Sequence, residues 1–297
     1  MLQLISKVQY KNFETGEFSE KNKRGYDETI QLIEAFPWEE QRKDLRVNLT
    51  NPSVTLEGIN ATYLKLALFY NGKFVLHYFS HEGELYTKSF TELKDAYPYI
   101  QKYFSPDSFD LTDFKKEPTW FQYNLKHFVS QDFIYLITPK RIKDYLFSTT
   151  GFSLAFGLLI ILFIVVTSPA PGIIAIWLFV VIVMFFMGGG INLILFFNYY
   201  DYSKNKMLVM SKGNDVFFFG NKDSPIEYNK KDILRFISVR SKSSKSPVAG
   251  FGFIIIELRN GKTIRIPNIF VDSNALENKL FEYPKIEKNI FPFMRNT

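Results

Sequence analysis

The stretch YLFSTTGFSLAFGLLIILFIVVTSPAPGIIAIWLFVVIVMFFMGGGINLILFFNYY, residues 145–200, organises the rest of the chain. It contains no Asp, Glu, Lys or Arg, and two apolar runs meet at the turn residues TSPAPG, residues 167–172. A run of about 18 uncharged apolar residues is typical of a membrane-spanning helix, because a helix rises about 1.5 Å per residue. The pattern predicts a two-helix transmembrane hairpin, with spans at about 145–167 and 173–197.

Basic residues flank the hairpin on both sides and predict its orientation. Lys140, Arg141 and Lys143 precede the first span, and Lys204 and Lys206 follow the second. The connecting loop carries no charge. Because loops rich in Lys and Arg favour the cytoplasmic side of a membrane, both termini are expected in the cytoplasm. The sequence thus predicts a multi-pass protein of the inner (cytoplasmic) membrane of a bacterium.

Charge divides the rest of the 297-residue chain into two unlike parts. Residues 1–140 carry 17 basic and 19 acidic side chains, whereas residues 201–297 carry 17 basic and 10 acidic ones. A basic domain beside a bilayer suits an anionic lipid surface about as well as nucleic acid, and no nucleic-acid partner is predicted. The chain has no cysteine, which excludes disulfides and thiolate chemistry.

Local patterns in residues 1–140 predict an α+β domain with an antiparallel sheet. Residues 63–70 and 73–79 alternate on either side of Asn71-Gly72. This dipeptide between two alternating runs is a strong short-range signal for a β-hairpin closed by a type I′ turn. A capping-box pattern a little further along the chain opens a predicted helix.

The part that follows the apolar stretch is predicted to form several short strands and one closing helix. Asn260-Gly261 predicts a tight turn between the last two strands. Asp272 or Ser273 is a suitable N-cap for an amphipathic helix. Strands closed by one helix predict a small curved sheet or β-barrel that the helix plugs. The predicted strands are 207–210, 216–219, 226–228, 233–239, 253–258 and 262–266.

Residues 203–284 resemble the bacterial pleckstrin-homology-like domains that often follow transmembrane hairpins. The resemblance rests on the strand order, the Asn-Gly hairpin, the terminal helix and the spacing of Ile226, Tyr228 and Ile233. It implies a PH-like β-barrel with a terminal helix, followed by a tail over residues 285–297. It also implies a binding role, toward lipids in some members of this class and toward proteins in many.

The order of helix, β-hairpin, strand and helix over residues 27–104 is similar to immunity-protein domains that neutralise bacterial polymorphic toxins. This resemblance implies a non-enzymatic protein that binds a cognate protein toxin. The candidate contact residues are aromatic and acidic side chains of the predicted hairpin and of the turn after it. They are Tyr70, Tyr78, Glu82 and Glu84.

Two further groups are candidates for binding or packing. Arg240, Lys242 and Lys245 form a basic, Ser-rich loop, and each basic side chain near an anionic leaflet contributes about 1 kcal/mol. The loop suits anionic lipid headgroups or a protein partner, and a merely solvated loop is an equal alternative. Small residues in the second predicted span permit close helix packing. These residues are Gly188, Gly189 and Gly190, with Asn192 beside them.

The sequence contains no recognisable catalytic or metal-binding constellation. The only histidines are His77, His81 and His127, and His81-Glu82 lacks the second histidine of an HExxH zinc site. The tripeptide GKT at residues 261–263 lacks the preceding glycine of a P-loop. We therefore expect no enzyme activity, no cofactor and no metal site.

Two functional hypotheses follow for an α+β multidomain membrane protein. In the first, a membrane-anchored immunity protein neutralises a cognate toxin at the cytoplasmic face of the inner membrane. In the second, a membrane-anchored scaffold or sensor binds lipids or proteins through its PH-like domain. A second copy of the protein is a further candidate partner.

Overall fold

The computed structural model describes residues 2–43, 52–105, 109–118, 125–146, 190–242, 248–280 and 285–294, with six single positions between residues 162 and 182. Contacts within the chain divide it into two compact units. Unit 1 comprises Met1–Asp132 together with Ser211–Gly213, and unit 2 comprises Phe133–Met210 together with Asn214–Thr297.

Unit 1 is built on one seven-stranded sheet with the strand order β2-β1-β3-β4-β5-β6-β7. Every neighbouring pair in this sheet is antiparallel. The predicted α+β domain with an antiparallel sheet is therefore present. The strands are β1 Leu4–Gln9, β2 Ser19–Arg24, β3 Ser53–Glu57, β4 Tyr63–Leu68, β5 Phe74–Phe79, β6 Leu85–Phe90 and β7 Lys115–Lys116.

Three helices of unit 1 share an apolar core with its sheet. They are α1 (Tyr26–Ala35), α2 (Trp38–Arg42) and α3 (Tyr97–Tyr103). Leu64 and Leu66 occupy alternate positions of β4 and are buried in this core with side chains of the helices. Because side chains alternate across a strand, the residues between them point to the opposite face of the sheet.

The β4–β5 hairpin forms as the sequence predicts. Its turn residues Asn71 and Gly72 both have positive φ, 55° and 78°. A type I′ turn requires this conformation at both central positions, and Asn and Gly tolerate it better than other residues. The turn pairs Leu68 with Phe74 at the start of the ladder.

Unit 2 contains two four-stranded sheets, with the strand orders β11-β10-β9-β8 and β14-β13-β12-β15. Neighbouring strands are antiparallel except β12 and β15, which are parallel. The strands are β8 Ile134–Tyr135, β9 Lys206–Val209, β10 Val216–Asn221, β11 Ser224–Asn229, β12 Ile233–Ser241, β13 Gly252–Leu258, β14 Thr263–Pro267 and β15 Lys285–Asn289.

One apolar core joins the two sheets of unit 2 and the closing helix. Leu208 and Phe217 come from the first sheet and Ile254 from the second. The closing helix α6 (Ser273–Glu277) adds Leu276, which is also buried in this core. The predicted plug is thus present, although the helix has only five residues.

Helices α4 (Pro139–Leu146) and α5 (Ile191–Ser203) overlap the two ends of the apolar stretch, residues 145–200. Leu195 and Tyr199 of α5 are fully buried in a second apolar cluster, together with side chains of β12 and β13. The sheet β14-β13-β12-β15 therefore packs against the first sheet on one face and is partly covered by α5 on the other.

The predicted transmembrane hairpin is wrong. Within the part of the chain that the structure describes, no helix is long and apolar enough to cross a membrane. Most of the predicted spans, 145–167 and 173–197, lies outside the described residues.

The predictions that depended on the hairpin are corrected with it. They are the fold class of a membrane protein, the multi-pass inner-membrane location with cytoplasmic termini, and the bilayer as an integral partner. The physical reason is visible in α5. A run without charged residues requires an apolar environment, and for the buried face of α5 the protein's own sheet supplies it.

Candidate binding cleft

A cleft of about 740 Å³ lies on unit 2, over the face of the sheet β14-β13-β12-β15 that α5 partly covers. We call it the β12–β15 cleft. Its apolar floor consists of Val239, Phe253 and Ile255. Val239 lies opposite Phe253 in the β12–β13 ladder, whereas Ile255 is only partly buried. Val239 and Phe253 are only 1% and 6% exposed, so the apolar floor surface that a ligand is able to bury comes mainly from Ile255.

Charged side chains give the cleft an excess of positive charge. Arg265 of β14, Lys242 just after β12 and Lys288 of β15 line it, together with one carboxylate, that of Glu287. Lys242 and Lys288 are exposed, and among the described residues neither has an ion-pair partner. An anionic ligand group is favoured next to such a rim.

The C-terminal residues 290–294 form one wall of the cleft, and α5 holds this wall in place. The side-chain amide of Asn198 donates a hydrogen bond to the Met294 carbonyl (3.1 Å) and accepts one from the Met294 N–H (2.8 Å). The Tyr199 hydroxyl donates to the Pro292 carbonyl over 2.6 Å. Burial raises the pKa of Tyr199, so this hydroxyl stays protonated. The lining residues of the wall are Ile290, Phe291 and Phe293.

Strand β15 is the outer edge of its sheet in the described part of the chain, because the strand order ends there. Ile286 on this strand is 54% exposed, and Ile290 just after it is 64% exposed. An edge strand presents a row of backbone N–H and C=O groups that an extended peptide is able to pair with. The cleft is thus bordered by both side-chain and main-chain binding groups.

The structure separates the three residues of the predicted basic loop. Arg240 forms an ion pair with Glu277 and donates to the side chain of Asn274 over 3.2 Å, so its side chain is directed to α6. Lys242 lines the β12–β15 cleft. Lys245 lies outside the described residues. Of this group, Lys242 is therefore the one that the geometry places at a binding surface.

The four predicted contact residues of unit 1 do not form one surface. Tyr70 is 58% exposed at the tip of the β4–β5 hairpin. Tyr78 is buried and its ring stacks on Phe109, with the centroids 4.8 Å apart. Glu82 and Glu84 follow the other end of β5, which is about 20 Å from Tyr70 along the strand.

The Glu84 carboxylate is already engaged within unit 1. It accepts hydrogen bonds from the Lys116 ammonium and from the Tyr86 hydroxyl, the latter over 2.5 Å. The bond from Lys116 is the main reason why the pKa of Glu84 is lowered, and the bond to Glu84 raises the pKa of Lys116. Glu82 is exposed, and its carboxylate lies 3.9 Å from the His81 Nε2.

The predicted helix-packing group is only partly within the described residues. Gly188 and Gly189 lie outside them, and Gly190 is buried directly before α5. Asn192 in the first turn of α5 is 1% exposed, and neither atom of its amide has a hydrogen-bond partner in the described part of the chain. The buried position of Asn192 agrees with a packing role.

A buried polar row in unit 1 was missed by the sequence reasoning. Lys7, Thr55, Lys65 and His77 lie opposite one another in adjacent strands, from β1 through β3 and β4 to β5. All four are buried. The only signal in the sequence was Lys65 between two core leucines, and such alternation usually indicates a solvent-facing side. Local sequence does not reveal which distant segment covers that face.

Burial shifts the titration of this row strongly. Burial, followed by the charge of the nearby Lys7 ammonium, lowers the pKa of Lys65 to about 7. Burial, followed by the charges of Lys65 and His127, lowers the pKa of His77 to about 3. Lys7 forms an ion pair with Glu57, and burial still lowers its pKa. At neutral pH His77 is therefore uncharged and Lys65 is only partly protonated.

The histidines do not converge on a metal site. His77 is buried in β5, whereas His81 is exposed in the turn that follows. Within the residues that the structure describes, no group of three or more His, Cys, Asp or Glu is placed to hold a metal ion.

Comparison with known proteins agrees with the architecture of unit 2. A family model described as a PH domain matches residues 134–279. Neither the curated proteins nor the solved structures gave a match. The matched segment begins at β8, where Ile134 pairs with Val209 of β9, so it starts before residue 203, where the resemblance placed the domain. The predicted PH-like domain is confirmed, and residues 134–279 contain it.

Proposed function

We propose that this chain is a non-enzymatic binding protein whose unit 2 recognises a protein partner through the β12–β15 cleft. The proposal rests on three features that occur together in one cleft of about 740 Å³. An apolar floor, a positively charged rim and an open edge strand meet there. Such a site is able to bury apolar side chains, pair with acidic groups and form main-chain hydrogen bonds.

The partner that fits these features is an extended segment rich in acidic and apolar residues. Alternate side chains of an extended chain point to opposite sides, so apolar side chains reach the floor while acidic ones stay near Lys242 and Lys288. Where such a segment leaves the cleft beyond β15, its main-chain groups meet the unpaired edge of that strand. A lipid headgroup would engage the cations and leave the edge strand and the aliphatic floor unused, so a protein segment is favoured.

Binding of a labelled peptide to the purified full chain tests the proposal. The probe is a short peptide of alternating Glu and Val residues, and its fluorescence anisotropy is followed during titration. We expect saturable binding that weakens at high salt, because rim charges are exposed and screened by ions. Reversing one rim charge, Lys288→Glu, replaces an attraction of about 0.5–1 kcal/mol by a repulsion of similar size, so binding should weaken about five- to thirtyfold.

Lys262→Glu is the matched control, because Lys262 is also exposed but lies in the β13–β14 turn away from the cleft. It makes the same change in net charge and should leave binding within about twofold. Equal weakening by both variants would show that only net charge matters and would contradict the proposal. Vesicles with anionic lipids form a second arm: stronger binding to vesicles than to the peptide, lost in Lys288→Glu, would favour a lipid ligand instead.

Neutralisation of a toxin by unit 1 is a second candidate function. It rests on the resemblance of residues 27–104 to immunity domains, and the exposed ring of Tyr70 at a hairpin tip supports it. Rigid, exposed aromatic side chains are common anchors of protein interfaces. Cells that express the full chain should survive a cognate toxin encoded by the neighbouring reading frame, and Tyr70→Ala should reduce protection. Full protection by a chain with Tyr70→Ala and Glu82→Ala would remove this surface from consideration.

A further inference from the structure

A short segment of unit 1, residues 125–131, covers the buried polar row. We call it the cover segment. Its Phe128 is fully buried, and the ring lies 6.0 Å from that of Tyr63 and 5.3 Å from that of Phe79. Its last residue, Gln131, donates its N–H to the Gly16 carbonyl over 2.9 Å. The segment is thus attached to the sheet by apolar packing in its middle and by hydrogen bonding at its end.

Lys65 connects the sheet to the cover segment. Its Nζ donates to the side-chain carbonyl of Gln9 on β1 (3.0 Å) and to the backbone carbonyl of His127 in the cover segment (3.1 Å). The neighbouring Lys7 Nζ lies 3.3 Å from the Ser130 hydroxyl. The amine of Lys65 therefore bridges two elements that are far apart in the sequence.

Among the described residues, charged and titratable groups face Lys65 from β1, from β5 and from the cover segment. Lys7 on β1 is a second cation, and its carboxylate partner is Glu57 on β3. His77 faces it from β5 and His127 from the cover segment. Since a protonated Lys65 would be a buried charge close to the Lys7 cation, the closed arrangement favours the neutral amine.

We propose that Lys65 is a proton-controlled latch: the neutral amine keeps the cover segment closed on the sheet, and its protonation favours opening. Opening returns the Lys65 side chain to water and away from Lys7, which removes the cost of its charge. Opening therefore exposes the polar row of unit 1 as the pH falls.

The direction and size of the effect follow from proton linkage. In the closed state the pKa of Lys65 is about 7, and in the hydrated open state it returns to about 10.5. The open state binds the extra proton between these two values, so the opening constant rises as the pH falls through this range. The opening constant should change up to about tenfold per pH unit well above pH 7, and it should level off below about pH 6. The histidines titrate near pH 3 and 4 and lie outside this window.

Hydrogen exchange of the backbone amide of Gln131 tests the latch on the full chain. The opening constant is obtained from about pH 6 to about pH 9, after correction for the intrinsic exchange rate. We expect it to fall by at least about tenfold over this range in the wild type. Amides of β4 serve as the internal reference, because they report opening of the sheet itself.

The variant Lys65→Met removes the titrating amine while keeping a long apolar side chain. It should abolish the pH dependence at Gln131, whereas the matched control Lys94→Met, at an exposed position, should retain it. A flat wild-type profile would overturn the proposal without any variant. A pH-dependent profile that is identical at Gln131 and in β4 would also overturn it, since Lys65 would then act only in global unfolding.

Discussion

The hydrogen bonds from Asn198 to the C-terminal wall give a sharp test of how the cleft is built. Replacement Asn198→Ala removes both the donor to the Met294 carbonyl and the acceptor of the Met294 N–H. The backbone of residues 290–294 then keeps only the bond from the Tyr199 hydroxyl to Pro292 as its link to a side chain of α5 among the described residues. We expect the wall to detach more often, while the core of unit 2 stays folded.

The size of the effect can be worked out from the number of bonds lost. Each intramolecular hydrogen bond contributes about 1 kcal/mol, so two bonds correspond to about 2 kcal/mol. This free energy raises the opening constant of the wall about 30-fold. Tyr199→Phe removes one bond and leaves its buried ring in place, so about a fivefold increase is expected.

Limited proteolysis measures this opening. A protease that cleaves after aromatic residues attacks Phe291 and Phe293 only when the backbone is released, although both side chains are partly exposed. When opening and closing are fast relative to cleavage, the cleavage rate follows the opening constant. The same detachment should weaken binding of the acidic peptide, since the wall lines the cleft.

Asn205→Ala is the control, because Asn205 is exposed just after α5 and its side chain has no hydrogen-bond partner among the described residues. It should leave the cleavage rate unchanged. The reasoning is refuted if Asn198→Ala cleaves at the wild-type rate, or if the two alanine variants accelerate cleavage equally.

Three further substitutions test other parts of the account. Lys65→Met should raise the free energy of unfolding at neutral pH, less about 1–3 kcal/mol for the hydrogen-bond acceptors that lose their donor. Denaturation at several pH values should show this difference shrinking toward about pH 10, because the wild type gains up to about 4 kcal/mol as the amine of its unfolded state loses the proton that the folded state already lacks. A difference that does not depend on pH would contradict the assignment. Leu276→Ala should lower the free energy of unfolding of unit 2 by about 2–5 kcal/mol, since it leaves a cavity in the core between the two sheets. An unchanged thermal transition would exclude α6 as a plug. Arg240→Gln should lower the free energy of unfolding by less than about 1 kcal/mol, because the ion pair of Arg240 with Glu277 is partly exposed. A larger loss in calorimetry would mean that this ion pair fixes α6.

Features governed by local sequence were predicted well. The β4–β5 hairpin follows from Asn71-Gly72 between alternating runs, and the N-cap of α6 follows from Asp272, whose carboxylate accepts from the Asn274 N–H over 2.9 Å. Both depend on residues a few positions apart, whose preferences are intrinsic. Strands β9 to β14 of unit 2 were located for the same reason.

Features that depend on distant partners were not predicted. Residues 285–297 were expected to be a tail, yet β15 pairs with β12 in parallel and the residues after it form the wall of the cleft. Strand β8 precedes the apolar stretch in the sequence, yet it pairs with β9, which follows that stretch. Nothing local in a five-residue or two-residue strand indicates which partner it will find.

The sequence also did not reveal the environment of individual side chains. An uncharged stretch indicates burial in something apolar, and for Leu195 and Tyr199 this is the sheet of unit 2. Lys65 illustrates the reverse case, since its place in an alternating strand suggested solvent and the cover segment made it interior. In both cases the deciding contact comes from a segment far away in the sequence.

A charge-swap experiment tests the central claim most directly, because it asks whether the rim of the β12–β15 cleft meets the partner's acidic groups. The full chain with Lys288→Glu is titrated with two peptides, one alternating Glu and Val and one alternating Lys and Val, beside the wild type and Lys262→Glu. We expect Lys288→Glu to lose affinity for the acidic peptide and to gain affinity for the basic one, while Lys262→Glu does neither. Unchanged preference in Lys288→Glu, or an equal swap in Lys262→Glu, would contradict the cleft as the binding site.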